Sequence, residues 1–120
     1  MKKPSKRILI AEDNQKLLEF IDDFLKSIDP TFEIDDVPNS AEAAKKAAEK
    51  DYDIILSDYD MPYMNGMELF LFLKQGKYNG KFYLMSGHVL DRKKIRKLKI
   101  NGFLSKPFDS ASFEKIFKKR

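Results

Sequence analysis

Short apolar runs alternate along the chain with longer segments whose apolar residues return every three or four positions. Lys6-Arg7-Ile8-Leu9-Ile10-Ala11 reads as a buried strand. Behind it, Leu17, Phe20, Ile21, Phe24, Leu25 and Ile28 recur at helical spacing, and Asn14 stands where a side chain can cap the helix. Asp29-Pro30 ends that helix, because a residue before proline is pushed out of helical geometry. Phe32 to Val37 alternates at first, as a half-exposed edge strand would. Asn39 with Glu42 resembles a capping box opening an alanine-rich helix that runs to about Lys50. Asp53 to Ser57 predicts a strand, Met61-Pro62 to Gly66 a loop, and Met67 to Lys74 an apolar helix. Gly76 to Gly80 is a turn region, and Phe82 to Met85 a further strand. Val89 to about Leu98 predicts a short, very basic helix, and Gly102 to Leu104 a short strand. Asp109 starts a last helix with Phe113, Ile116 and Phe117 on one face.

A strand followed by a helix, five times over, predicts an α/β domain. Continuous apolar strands separated by helices indicate a parallel sheet covered on both faces. The 120 residues are expected to make a single domain, 1–120. Apolar residues at 42% and charged residues at 35% fit a globular chain and exclude a disordered one. The absence of cysteine excludes a disulfide framework and thiolate metal sites, and the single histidine, His88, excludes a histidine-rich zinc centre. No apolar run approaches the roughly 18 residues of a membrane span. The apolar run behind the basic N-terminus, Ile8 to Ala11, is too short for a signal peptide, so the expected location is cytoplasmic. The net charge of +4 hides an asymmetry: residues 1–90 carry 12 Lys/Arg against 16 Asp/Glu, and residues 91–120 carry 11 against 3.

In an open parallel sheet the ligand crevice lies beyond the carboxyl ends of the strands. Glu12 and Asp13 follow the first strand, Asp58 the third, Ser86 the fourth, and Ser105, Lys106 and Pro107 the fifth. Three carboxylates crowded on one rim repel one another unless a cation joins them, and such hard oxygen ligands suit Mg²⁺ or Mn²⁺. A carboxylate beside the metal can act as a nucleophile toward phosphorus and form an aspartyl phosphate. Lys106 would neutralise one phosphoryl oxygen as a point charge, and the Ser86 hydroxyl can donate to another.

Five stretches carry a family resemblance. They are Ile8-Leu9-Ile10-Ala11-Glu12-Asp13-Asn14, Ile54-Ile55-Leu56-Ser57-Asp58-Tyr59-Asp60-Met61-Pro62, Met64-Asn65-Gly66-Met67-Glu68-Leu69, Leu84-Met85-Ser86-Gly87 and Phe103-Leu104-Ser105-Lys106-Pro107-Phe108. In this order they resemble the receiver domain of two-component response regulators, the CheY-like family. The resemblance implies a flavodoxin-like (βα)₅ doubly wound fold with strand order 2-1-3-4-5. It implies that Asp58 is the phosphoacceptor, with Lys106 and Ser86 beside it. The metal ligands would be Glu12, Asp13, Asp58 and the backbone carbonyl of Asp60, with Asp13 direct and Glu12 acting through water. Ser86 and Phe103 match the pair that moves on phosphorylation, Pro107 a cis proline, and Gly87 a small residue that leaves the phosphate accessible. The implied partners are a sensor histidine kinase or histidine phosphotransfer protein and a downstream target. The target would bind the basic surface of the fourth helix, fifth strand and fifth helix. The chain would then be a signalling domain, not an enzyme with turnover, and would bind no membrane.

The sequence departs from the family where Lys99-Ile100 replaces the usual Gly-Ala pair, and the segment between Ser86 and Phe103 is short. The fourth helix is expected to be shortened or displaced. Two rival readings carry less weight. Asp58-Tyr59-Asp60 also resembles the nucleophile motif of haloacid-dehalogenase-type phosphatases, but after Lys106 only Asp109 and Glu114 remain, at capping and helical positions. A nucleic-acid module would explain the basic tail, yet no aromatic residues interleave the basic helix and no helix-turn-helix signature is present. A dinucleotide site is excluded, since no Gly-x-Gly-x-x-Gly follows the first strand.

Overall fold

A computed structural model describes residues 6–107 and 109–117. Ten elements alternate: β1 (Arg7–Ala11), α1 (Gln15–Ile28), β2 (Glu33–Val37), α2 (Ser40–Glu49), β3 (Ile54–Asp58), α3 (Gly66–Gln75), β4 (Lys81–Ser86), α4 (Arg92–Leu98), β5 (Gly102–Ser105) and α5 (Ser110–Phe117). The strands form one sheet in the order β2-β1-β3-β4-β5, every pair parallel. This is the expected doubly wound fold. Phe108, quoted in the last motif, and the N-terminal segment 1–5 with Lys2 and Lys3 lie outside the described residues.

Strand alternation divides the core in two. Leu9 and Ala11 of β1, Ile55 of β3, and Phe82 and Leu84 of β4 pack against α2, α3 and Ile95 of α4. Ile8 and Ile10, Ile54 and Leu56, Met85 and Leu104 point the other way, onto Leu18, Ile21 and Leu25 of α1 and Phe113 of α5. Successive side chains on a strand face opposite sides, so an unbroken apolar run feeds both layers. Among the described residues no helix is long and apolar enough to cross a membrane.

Capping sets several boundaries. Asn14 accepts from the Leu17 amide at 3.1 Å and opens α1; Asn39 accepts from Glu42 at 2.8 Å and opens α2. A full reciprocal box forms at Asn65 and Glu68, a pair the sequence reading did not single out. The basic helix starts later than the periodicity predicts, at Arg92 and not Val89. Asp91 is its cap, accepting from the Lys93 and Lys94 amides, and a carboxylate there satisfies donors that Val89 cannot. Val89 is left fully exposed before the helix.

Three strands also run longer than their apolar runs. Asp58, Ser86 and Ser105 are strand residues, because Asp58 still pairs with Met85 and Ser86 with Ser105. The chemistry-bearing side chains therefore stand on the sheet itself.

Candidate functional site

The carboxyl ends of β1, β3, β4 and β5 meet on one rim. The chain leaves β1 through Glu12, whose amide donates to the Val37 carbonyl at 3.0 Å. Tyr59 donates to the Met85 carbonyl at 2.8 Å, and Lys106 to the Ser86 carbonyl at 2.7 Å. These backbone bonds tie each site residue to a neighbouring strand, so the site is as rigid as the sheet edge that carries it. Gly66 completes the frame: a Cβ there would lie 2.9 Å from the Asp58 carbonyl oxygen and 2.5 Å from Leu84 Cδ2. The start of α3 approaches the end of β3 that closely only because glycine has no side chain.

Glu12, Asp13 and Asp58 each offer a carboxylate oxygen, and these oxygens lie within 4.8 Å of one another. Glu12 and Asp58 are buried, at 1% and 6% exposure, while Asp13 is exposed. Lys106 Nζ bridges the two buried acids, 2.9 Å from Glu12 Oε1 and 3.2 Å from Asp58 Oδ1. The second oxygen of Glu12 accepts from the Asn14 amide at 3.1 Å. One lysine thus serves two buried carboxylates, and negative charge is left in excess. Burial, then the charge of Glu12, raises the Asp58 carboxyl above its ordinary value in spite of Lys106. Burial alone would lower Lys106, but the hydrogen bond to Glu12 and the charge of Asp58 outweigh it and raise the ammonium. Close hard oxygens with a charge deficit and one arm open to water fit a divalent cation such as Mg²⁺.

The remaining predicted residues separate. Ser86 is fully buried, and its hydroxyl accepts from the His88 amide at 2.9 Å. Phe103 is half-buried, its ring 5.1 Å beneath the Arg92 guanidinium. A cis peptide bond joins Lys106 to Pro107. A Cβ on Gly87 would meet nothing within 4 Å, so packing does not demand glycine there. The Asp60 carboxylate turns to His88, whose Nε2 lies 2.8 Å from Asp60 Oδ2. Asp109 spends its carboxylate on the amide and hydroxyl of Ser112, as a capping residue.

His88 is the site residue that sequence reasoning missed. Counting histidines excluded a zinc centre, but gave no reason to place His88 opposite Asp60. The usable signal was its position two residues past Ser86, at the end of a strand next to β3.

A family model described as the response regulator receiver domain matches residues 8–118. The probable transcriptional regulator ycf29 of Pyropia yezoensis is 35% identical over 109 residues, 88% of this chain and 48% of that protein. The transcriptional regulatory protein PcoR of Escherichia coli is 28% identical over 105 residues, 86% of this chain and 46% of that one. The chain spans about half the length of these curated relatives. Among solved structures, the response regulator TrrA of Thermotoga maritima, in complex with Mg²⁺–BeF, superposes with a TM-score of 0.83 at 26% identity, covering 95% of this chain and 97% of that one. The chemotaxis response regulator CheY4 of Vibrio cholerae gives 0.83 at 22% identity, over 96% and 98%.

Proposed function

Since the chain belongs to the response regulator receiver domain family, we propose that Asp58 accepts a phosphoryl group from a phosphohistidine of a sensor kinase or phosphotransfer protein. The observation that carries this reading is the Lys106 bridge: a buried carboxylate on a strand end shares one ammonium with a second buried acid. The Asp58 carboxylate attacks phosphorus, the P–N bond breaks, and the imidazole keeps the electron pair. Lys106, freed from one carboxylate, is already within reach of the new phosphoryl oxygens and offsets their charge. Ser86 exchanges its contact with His88 for one with the phosphoryl group. Glu12, Asp13 and Asp58, with the Asp60 carbonyl, would hold Mg²⁺, with Mn²⁺ able to replace it; the cation supplies charge neutralisation and in-line orientation when bound. The Mg²⁺–BeF complex of the Thermotoga regulator supports this assignment.

Output is by phosphorylation-dependent contact with a downstream protein through the basic α4–β5–α5 surface, in the cytoplasm. On this reading the domain signals and does not turn substrate over. Acetyl phosphate with Mg²⁺ should add one acid-labile phosphoryl group to the wild type and none to Asp58→Asn, read by mass spectrometry. An unchanged adduct in the variant removes the assignment; steady hydrolysis of p-nitrophenyl phosphate replaces signalling with phosphatase chemistry.

A further inference from the structure

Tyr63, in the loop between β3 and α3, has φ of 79°, the left-handed region that a bulky side chain rarely occupies. The residue is 78% exposed, so burial does not hold it there. Met61 and Met64 pack against the core on either side, but side-chain packing does not fix the hand of the backbone between them. Ser40 touches both flanks. It is the first residue of α2, far from the loop in sequence, and is fully buried. Its hydroxyl donates to the Pro62 carbonyl at 2.8 Å and accepts from the Met64 amide at 2.9 Å. A single oxygen thus grips the residue before Tyr63 and the residue after it. The base of the loop is closed separately, by the Gly66 amide on the Tyr59 carbonyl at 2.8 Å. Asp60 lies between the two ties.

We propose that Ser40 is a positioning residue of the Asp58 site: its hydroxyl clamps the β3–α3 loop in the strained form that sets the Asp60 backbone beside the acidic cluster. A strained residue persists where its surroundings over-determine it, and such residues gather at functional sites. Here the backbone closes across Tyr63, the Met64 amide donating to the Pro62 carbonyl at 3.1 Å, and one buried hydroxyl on a neighbouring helix holds both of those groups in place. The inference rests on the phosphoacceptor reading above.

The test uses the full chain. Amide and Cα chemical shifts report the Tyr63 backbone in metal-free protein, and a Mg²⁺ titration followed by the same signals gives affinity. Ser40→Ala should move the shifts of residues 60–64 away from left-handed values at Tyr63. It should weaken Mg²⁺ by about fivefold or more, as expected when two hydrogen bonds are lost. A purely structural serine would lower the unfolding midpoint and leave both readouts alone. Tyr63→Gly occupies the left-handed region at no steric cost, so Mg²⁺ affinity in that background should depend less on Ser40. Should Ser40→Ala fail to fold, Ser40→Cys keeps the volume with a weaker donor and is read in the same way. Unchanged Tyr63 shifts and Mg²⁺ affinity, in a wild type that phosphorylates on Asp58, overturn the clamp alone. A wild type that takes no phosphoryl group on Asp58 overturns the reading beneath it.

Discussion

Glu12 and Asp13 are neighbours of like charge with opposite surroundings. Glu12 has one oxygen on Lys106 and the other on the Asn14 amide, and is closed to water; Asp13 is exposed. A cation arriving from solvent meets Asp13 with no partner among the described residues, whereas Glu12 must first give up one. Asp13→Ala should therefore weaken Mg²⁺ binding more than Glu12→Ala does, a ranking that calorimetry checks and that equal losses would contradict. A second acidic pair lies away from the site. Asp22 Oδ1 is buried with no donor among the described residues, and Asp36 faces it. Burial, then the hydrogen bond with Asp22 and its charge, raises Asp36 from 3.8 to about 7. A proton on Asp36 supplies the donor that Asp22 lacks. The folded state holds that proton more tightly than the unfolded chain. The contribution is therefore complete below the unfolded value and is lost as pH rises through about 7. The Asp36 carboxyl is partly enclosed beside Asp22 while the residue as a whole is open to solvent, and that screening should keep the loss under about 1 kcal/mol. Urea midpoints measured from pH 5 to 8 should fall in the wild type and stay nearly level in Asp36→Asn.

Helix ends show where local chemistry and chain geometry disagree. At the end of α4 the Ile100 amide donates to the Ile95 carbonyl at 3.1 Å and the Lys99 amide to Arg96 at 3.0 Å, a Schellman motif with Lys99 at φ 66°. The same pair of bonds ends α3, from Tyr78 to Leu73 and Lys77 to Lys74, with Lys77 at φ 70°. Gly76 stands one position too early and has φ of −82°. Lysine in this conformation is strained, and glycine is not. Lys77→Gly and Lys99→Gly should each stabilise the fold by about 0.5–1 kcal/mol and combine additively, read by thermal unfolding. Gly66 makes the opposite case. Its missing Cβ is required by the Asp58 and Tyr59 backbone, which cannot step aside as a side chain can. Gly66→Ala should cost about 1–3 kcal/mol and disturb Asp58 amide shifts. These cases show why elements were legible and their ends less so. The strands were readable because apolar runs such as Ile8 to Ile10 fill two layers at once, and α1 because one face repeats from Leu17 to Ile28. The start of α4 was not, since an apolar Val89 resembled a helical position until Asp91 took the cap. Nor were the hand of Tyr63 or the His88–Asp60 contact, which depend on residues distant along the chain.

Across the molecule, the acidic rim and the basic helix are joined by contiguous contacts. Ser86, at the end of β4, holds the His88 amide through its hydroxyl and the Lys106 amide through its carbonyl. Leu84, two residues earlier, pairs in register with Phe103, and Phe103 carries Arg92 of α4 on its ring. In this structure the Ser86 hydroxyl is engaged with His88. A phosphoryl group on Asp58 brings new acceptor oxygens that compete for it. On the proposed reading, release of His88 would loosen the loop before α4, and a turn of Phe103 would remove the platform under Arg92. The surface that would change is strongly cationic, with Arg92, Lys93, Lys94, Arg96 and Lys97 exposed and in no ion pair among the described residues. Spatial continuity alone does not establish coupling; a two-state element biased at both ends does. Beryllofluoride, as a phosphoryl mimic, should therefore change amide exchange across residues 86–106 in the wild type. Ser86→Ala should still accept a phosphoryl group on Asp58 but show a much smaller change in exchange, because the hydroxyl that trades partners is gone. The coupling cannot exceed the difference in contacts between the two states, here about one hydrogen bond and one cation–π contact, or roughly 1–2 kcal/mol. A shift of at most about thirtyfold in affinity for a partner follows from that bound. Equal protection in both states of the wild type would make the chain a carrier of phosphoryl groups with no conformational output.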